Sequence, residues 1–189
     1  MKIALFVEGP SDKETIPILI RKIFEQNIGI ITRVARNRGD LLNTRKVLAH
    51  IHGILRRNQA DFKVIVCVDS HCTPKAETEK EAVEAEKSIR SEVSVPVHYA
   101  PVIHALEGWL MSDHDAIRRC VGANARVSVG QSDITNCRPK EIMKAIFRRN
   151  GRDFLPRRDC PKIARETDIE RLTRLNESFR EFRERVEDP

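Results

Sequence analysis

Aromatic side chains are scarce in this chain of 189 residues: they make up 5%, with a single tryptophan, Trp109, and a single tyrosine, Tyr99. A surface that stacks successive bases on aromatic rings is therefore not expected. No apolar run approaches the roughly 20 residues that a membrane-spanning helix needs, and the first residues lack the charged and apolar regions of a secretory signal. They read as a first strand instead, and a cytosolic protein with no membrane association is expected. The five cysteines (67, 72, 120, 137 and 160) are odd in number, widely spaced and without a C-x-x-C pair. Thiols are expected from them, not a disulfide framework or a zinc site. There is no Walker A lysine motif, no repeat, no low-complexity tract and no long linker.

What is present is an ordinary globular balance, 40% apolar and 33% charged. The length suits one domain over residues 1–189, read as an α/β core over 1–103 and a helical extension over 104–189 packed on it. The net charge of +6 is unevenly spread: Met1–Asp113 carries 16 basic and 15 acidic side chains, His114–Pro189 carries 18 and 13. Within Arg138–Arg165 the count is 10 against 3. Such a tract suits a polyanionic partner, and equally a solvated arginine-rich helix face.

The pattern along the chain is strand, helix, strand, helix, strand, helix, strand. "KIALFVE" is a continuous apolar run of the kind buried in a parallel sheet. "SDKE" then reads as a capping box with Ser11 at the cap and Glu14 three residues on, and Gly29 as the end of that helix. "IITRVAR", "FKVIVCVD" and "VPVHYAPV" read as further strands, and "GDLLNTRKVLAHIHGILRRN" and "AETEKEAVEAEKSIRSEV" as single helices between them. This order implies a mostly parallel four-stranded sheet flanked by helices with right-handed crossovers. After Ile103, "IHALEGWLMSDHDAIRRC", "RPKEIMKAIFRRN" and "DIERLTRLNESFREFRERV" are expected as helices, and residues 122–137 as a loop.

Open α/β sheets bind ligands outside the carboxyl ends of their strands. Glu8 closes the first expected strand and Asp69 the third, so both carboxylates belong to the same rim. An acid there escapes burial while a rigid element holds it, which is what a metal ligand needs. Mg²⁺ often takes only one or two carboxylates, with substrate phosphate and water completing its shell. Gly9 would allow close approach of a phosphate, and the helix start near Asp12 favours an anion. Ser70 and Lys75 are further candidates for phosphate contact, as are Arg157, Arg158 and Lys162 in the basic tract. Each has an ordinary structural reading beside this one. Ser70 would make local backbone bonds, Lys75 would belong to a helix start, and the three cations would form a solvated face. His50, His52, His98 and His104 are scattered without metal-ligand spacing, and Tyr99, inside a strand, is not a nucleophile.

"VEGPSD" (Val7–Asp12) followed by "VIVCVDSH" (Val64–His71) resembles the Toprim arrangement shared by topoisomerases, primases and overcoming-lysogenization-defect nucleases. Its marks are an E-G at the end of the first strand and a D-x-D at the end of the third. "ALEGWLMSD" (Ala105–Asp113) and "CPKIARETDIERLTRLNESFREF" (Cys160–Phe182) resemble segments of a Toprim-like prokaryotic family, domain-of-unknown-function family 4276. The resemblance implies that Glu8 and Asp69 hold Mg²⁺ or Mn²⁺, with the glutamate as general acid or base. Glu107 becomes the candidate third carboxylate, and Asp113 a weaker one because "SDHD" also caps a helix. His71 stands where the second D-x-D acid would be. Imidazole there is open to three readings: a preference for Mn²⁺, a proton-transfer group, or a site that has lost its chemistry. The function the resemblance implies is metal-dependent phosphodiester cleavage of nucleic acid, in a defence-like setting with an ATPase partner. A non-catalytic adaptor and a phosphotransferase or phosphatase on small substrates are the rivals.

Overall fold

Among the described residues four strands, β1 (Lys2–Val7), β2 (Gly29–Val34), β3 (Phe62–Asp69) and β4 (Val97–Val102), form one sheet in the order β2-β1-β3-β4. Every pairing is parallel. The computed structural model describes residues 2–57, 62–122, 124–134 and 136–188. β1, β3 and β4 are buried on both faces along most of their length, as strands covered by layers on each side must be. β2 lies at an edge and is largely open to solvent.

The pleat sorts the strand residues into two cores. Ile3, Leu5, Val7, Ile65, Cys67, Ala100 and Val102 face α1 (Pro10–Phe24) and the carboxyl-terminal helices. Ala4, Phe6, Val64, Val66, Val68 and Tyr99 face α2 (Arg38–Leu42), α3 (Thr44–Leu55) and α4 (Lys75–Arg90). Tyr99 is buried, and its hydroxyl donates to the Leu41 carbonyl at 2.8 Å, a structural use of the ring.

Among the described residues seven helices follow β4: α5 (Leu106–Met111), α6 (His114–Val121), α7 (Gln131–Ile134), α8 (Pro139–Arg149), α9 (Pro156–Glu166), α10 (Ile169–Leu175) and α11 (Glu177–Glu187). Trp109 anchors them. Its ring meets Phe179 at 5.3 Å and Phe182 at 4.8 Å, and its Nε1 donates to Ser178 Oγ at 2.9 Å. Aromatic packing of this kind is worth about 0.5–1.5 kcal/mol per pair beyond area burial. α9 lies along α1, where Lys22 Nζ donates to the carbonyls of Arg165, at 2.7 Å, and Thr167 at the end of α9.

Several expected boundaries move, and three of the helix breaks come from short polar side chains. The helix expected after β2 is broken at Asn43, whose side chain accepts from Lys46 N and opens α3; its last residue, Asn58, lies outside the described residues. Asp113 breaks the next run by accepting from Ala116 N, and Asn176 divides α10 from α11 by accepting from Phe179 N. Each offers the backbone a cap that competes with a continuous helix. α1 is capped at Gly9, not Ser11, and ends at Glu25 (φ 52), not at Gly29, which begins β2. α9 was not expected at all; Pro156 opens it and Pro161 sits within it. α7 interrupts the expected loop 122–137, of which Ala123 and Thr135 are outside the described residues.

The cysteine expectation is corrected too. Cys72 and Cys137 form a disulfide with Cα atoms 4.9 Å apart across 65 positions of sequence, while Cys67, Cys120 and Cys160 are free. It clips the loop after β3 to the approach to α8, a pairing that linear spacing does not reveal.

Candidate functional site

The carboxyl ends of β1 and β3 open into a cleft of about 590 Å³ walled by Glu8, Asp12, Asp69, His71, Glu107 and the cations Arg138 and Lys140, among others. Glu8 follows the last residue of β1, and Asp69 is the last of β3, the strand beside it. Glu107 comes from the first turn of α5 and is buried. Asp12 comes from the first turn of α1 and turns back so that its Oδ2 accepts from Gly9 N at 2.8 Å. Gly9 makes room for this: a Cβ there would sit 3.1 Å from the same oxygen.

The four acids act on one another. Asp69 is pushed well above the ordinary carboxylate range, first by loss of water and then by the charges of Asp12, Glu8 and Glu107. Asp12 is pushed up to about 7, again first by loss of water, with the Gly9 hydrogen bond opposing and Glu107 and Glu8 adding. Glu107 is raised by burial, against its own backbone hydrogen bond and the positive field of Lys140 and His71. Acids with strongly perturbed protonation gathered in a cleft mark a functional site more often than a scaffold does.

The histidine at the third-strand position also faces this group: His71 Nε2 is 3.2 Å from Glu8 Oε1. Its backbone is left-handed (φ 49), as is that of His104 (φ 63). The two loops are tied, with His71 N donating to the His104 carbonyl at 2.8 Å and His104 Nδ1 2.7 Å from the His71 carbonyl. Strained backbone pinned by such bonds holds side chains in place. Ser70, fully buried, accepts from His104 N at 2.8 Å, so it secures the loop and faces no ligand.

Lys75, Arg157, Arg158, Lys162 and Asp113 lie away from the cleft. Lys75 is held by Glu177 at 2.8 Å, Glu181 at 3.2 Å and Glu79 at 3.4 Å, a junction between α4 and α11. Arg158 is bound to Asp159 and to the Asp153 carbonyl; Arg157 and Lys162 are exposed on α9, and none of the three lines the cleft. Asp113 is buried as the cap of α6 and pairs with Arg171 at 3.4 Å. Gly9 and Asp12 serve each other, so the amide at this helix start is already taken by a carboxylate and does not face a phosphate directly. Arg138, Lys140 and His104 line the cleft although no motif singles them out; the only sequence signal for the two cations is the basic tract as a whole.

Two observations bear on whether a cation fits. Glu8 Oε2 is buried and has no hydrogen-bond partner, an orphaned anionic oxygen of the kind a hard ion satisfies. Among the described residues no group of three His, Cys, Asp or Glu side chains is arranged to enclose an ion unaided. The donor set therefore suits an ion held by one or two carboxylates, the rest of its shell being water or substrate oxygen. Among the described residues no helix is long and apolar enough to cross a membrane. No curated protein and no solved structure matches the chain. A family model does match it over residues 7–187, from the end of β1 to the end of α11, and so takes in all four acids: the chain belongs to the family described as Domain of unknown function (DUF4276).

Proposed function

We propose that the chain is a Toprim-like, divalent-metal-dependent enzyme that cleaves phosphodiester bonds in nucleic acid. One observation carries this reading: four mutually repelling carboxylates, Glu8, Asp12, Asp69 and Glu107, meet in one cleft with a Glu8 oxygen left unpartnered. A fold gains nothing in stability from such a cluster, which suggests a positive guest. Glu8 and Asp69 would hold Mg²⁺ or Mn²⁺, with Glu107 completing or orienting the shell; bound there, the ion polarises a phosphoryl oxygen and lowers the pKa of water. Glu8 would also move a proton, a role that the 3.2 Å distance to His71 as its partner in that exchange supports. Arg138 and Lys140, at the rim of the same cleft, would balance phosphate charge. In this reading any ATP-driven step belongs to a partner, since no Walker A lysine is present.

The test is a Mn²⁺ titration by calorimetry together with cleavage of labelled single- and double-stranded oligonucleotides. Glu8→Gln and Asp69→Asn should weaken Mn²⁺ binding by at least about tenfold and abolish cleavage. Ion binding unchanged in both variants would end the metal assignment. Intact ion binding with no cleavage of any phosphodiester would leave the non-catalytic adaptor.

A further inference from the structure

A second cleft, of about 410 Å³, opens beyond the end of β2. Its charged lining is Arg33, Arg36, Lys46 and Asp40, with His50 beside them over a floor that includes Phe6. Arg33 is the register partner of Phe6, so its side chain leaves the sheet on the same face, and the His50 ring stands 6.2 Å from that of Phe6. Lys46 is bound to Asp40, and Arg36 adds its attraction to the same carboxylate. No described carboxylate lies within ion-pair distance of Arg33 or Arg36, and both are exposed. The cleft thus keeps a surplus of positive charge, on guanidinium groups whose fork geometry suits phosphate.

Its position relates it to the acidic cleft. Ala35 N donates to the Val7 carbonyl at 2.8 Å, so Arg36 and Glu8 are the next residues along two adjacent strands. Strands are spaced by about 4.8 Å, and a nucleic-acid strand advances about 3.4 Å per phosphate along a duplex axis. A backbone with one phosphate among the carboxylates therefore reaches the β2 cleft within a few nucleotides. The acidic cleft holds a polyanion weakly: Arg138 and Lys140 at its rim are outnumbered by carboxylates, which repel the phosphates flanking the one at the ion. A cationic footing next door supplies what it lacks, and β2, at the sheet edge, leaves the approach open.

We propose that this cleft is a subsite for the phosphate backbone of a nucleic acid, with Arg33 and Arg36 as its binding residues and Lys46 at its rim. The assignment rests on reading the carboxylate cleft as the place where the same strand is cut. It predicts that binding and cutting are separable by mutation.

The experiment is fluorescence anisotropy with a labelled single strand of about 16 nucleotides, in EDTA, across a salt series. Arg33→Ala/Arg36→Ala should weaken binding about tenfold or more and lower the slope of log affinity against log salt by about 1.4, two phosphates at ~0.7 each. Arg33→Lys/Arg36→Lys should keep the slope, which excludes a folding defect as the cause of the loss. Asp69→Asn should bind at least as well as the parent, and the loss in the alanine pair with Asp69→Asn intact supports the subsite even if no variant ever cleaves. Parent-like affinity and slope in the alanine pair would overturn the proposal. So would inorganic phosphate competing at the same concentration of phosphate as the oligonucleotide, which would make the ligand a small anion.

Discussion

His71 Nε2 lies 3.2 Å from Glu8 Oε1, across the gap between the ends of two adjacent strands. In the proposed Toprim-like reading the imidazole takes the place of a second acid, and it occupies one oxygen of the glutamate whose other oxygen is unpartnered. Aspartate tolerates the left-handed backbone at this position (φ 49) as histidine does. His71→Asp should therefore fold normally and tighten Mg²⁺ binding by about tenfold, an effect of the size that neighbours of metal ligands exert. Calorimetry with Mg²⁺ and Mn²⁺ checks it. A weaker Mn²⁺ complex with no gain for Mg²⁺ would make His71 itself a ligand.

The acid cluster should be visible in stability. Asp12 has a folded pKa of about 7, above its ordinary 3.8, and Asp69 is raised in the same direction. A raised carboxyl binds its proton more tightly in the folded state, so this contribution is complete below about pH 4 and is lost as pH rises through 7. Asp159, whose carboxyl Arg158 holds low, works in the opposite direction at acid pH, so the parent profile mixes the two. Asp69→Asn isolates the cluster. It should gain roughly 1–2 kcal/mol at pH 8, a rise of about 2–8 °C in Tm, and the gain should shrink towards pH 4. Calorimetric scans at both pH values decide; a destabilised Asp69→Asn would mean that the carboxylate is held by bonds and not strained by charge.

The disulfide makes a separate prediction. Cys72–Cys137 closes 65 positions of chain, and the loop-entropy model assigns a closure of that size about 4 kcal/mol. Reduction should lower the denaturation midpoint of the parent but leave Cys72→Ser/Cys137→Ser unmoved. Both cysteines flank the acidic cleft, His71 preceding one and Arg138 following the other, so ion affinity should fall along with stability. Thiol counting under denaturing conditions gives the direct check: three free cysteines before reduction. Five would show the bond absent.

The sheet and the pairing of Glu8 with Asp69 could be read from sequence because both rest on short-range facts. Apolar β-branched runs make buried parallel strands, and successive parallel strands bring their carboxyl ends to one rim. Asp12 could not be read as the fourth acid, because its direction depends on α1 starting at Gly9 two residues earlier than the capping pattern implied. Lys75 looked available until α11, a hundred residues on, brought Glu177 and Glu181 to it. The helix breaks at Asn43, Asp113 and Asn176 are single hydrogen bonds, too local for periodicity to register. The basic cleft went unseen because Arg33, Arg36 and Lys46 converge only when β2 is paired and α3 is folded against it.

Ser178 ties the helical half to the sheet, and the only tryptophan reports on it. Its Oγ donates to the Pro101 carbonyl at 3.0 Å and accepts from Ile103 N at 3.0 Å and Trp109 Nε1 at 2.9 Å. Ser178→Ala leaves two buried donors and one carbonyl short of a partner, each worth about 1–3 kcal/mol when stranded; water reaching part of the network brings the expected total to about 3 kcal/mol. Trp109 emission followed through urea denaturation measures it. Trp109→Phe removes one of the stranded donors, so in the Ser178→Ala background it should cost less than it does in the parent, a coupling of roughly 1 kcal/mol. Strict additivity of the two changes would show that the indole bond contributes nothing, leaving the Ser178 bonds to Pro101 and Ile103 and the packing of Phe179 and Phe182 to hold α11 to the sheet.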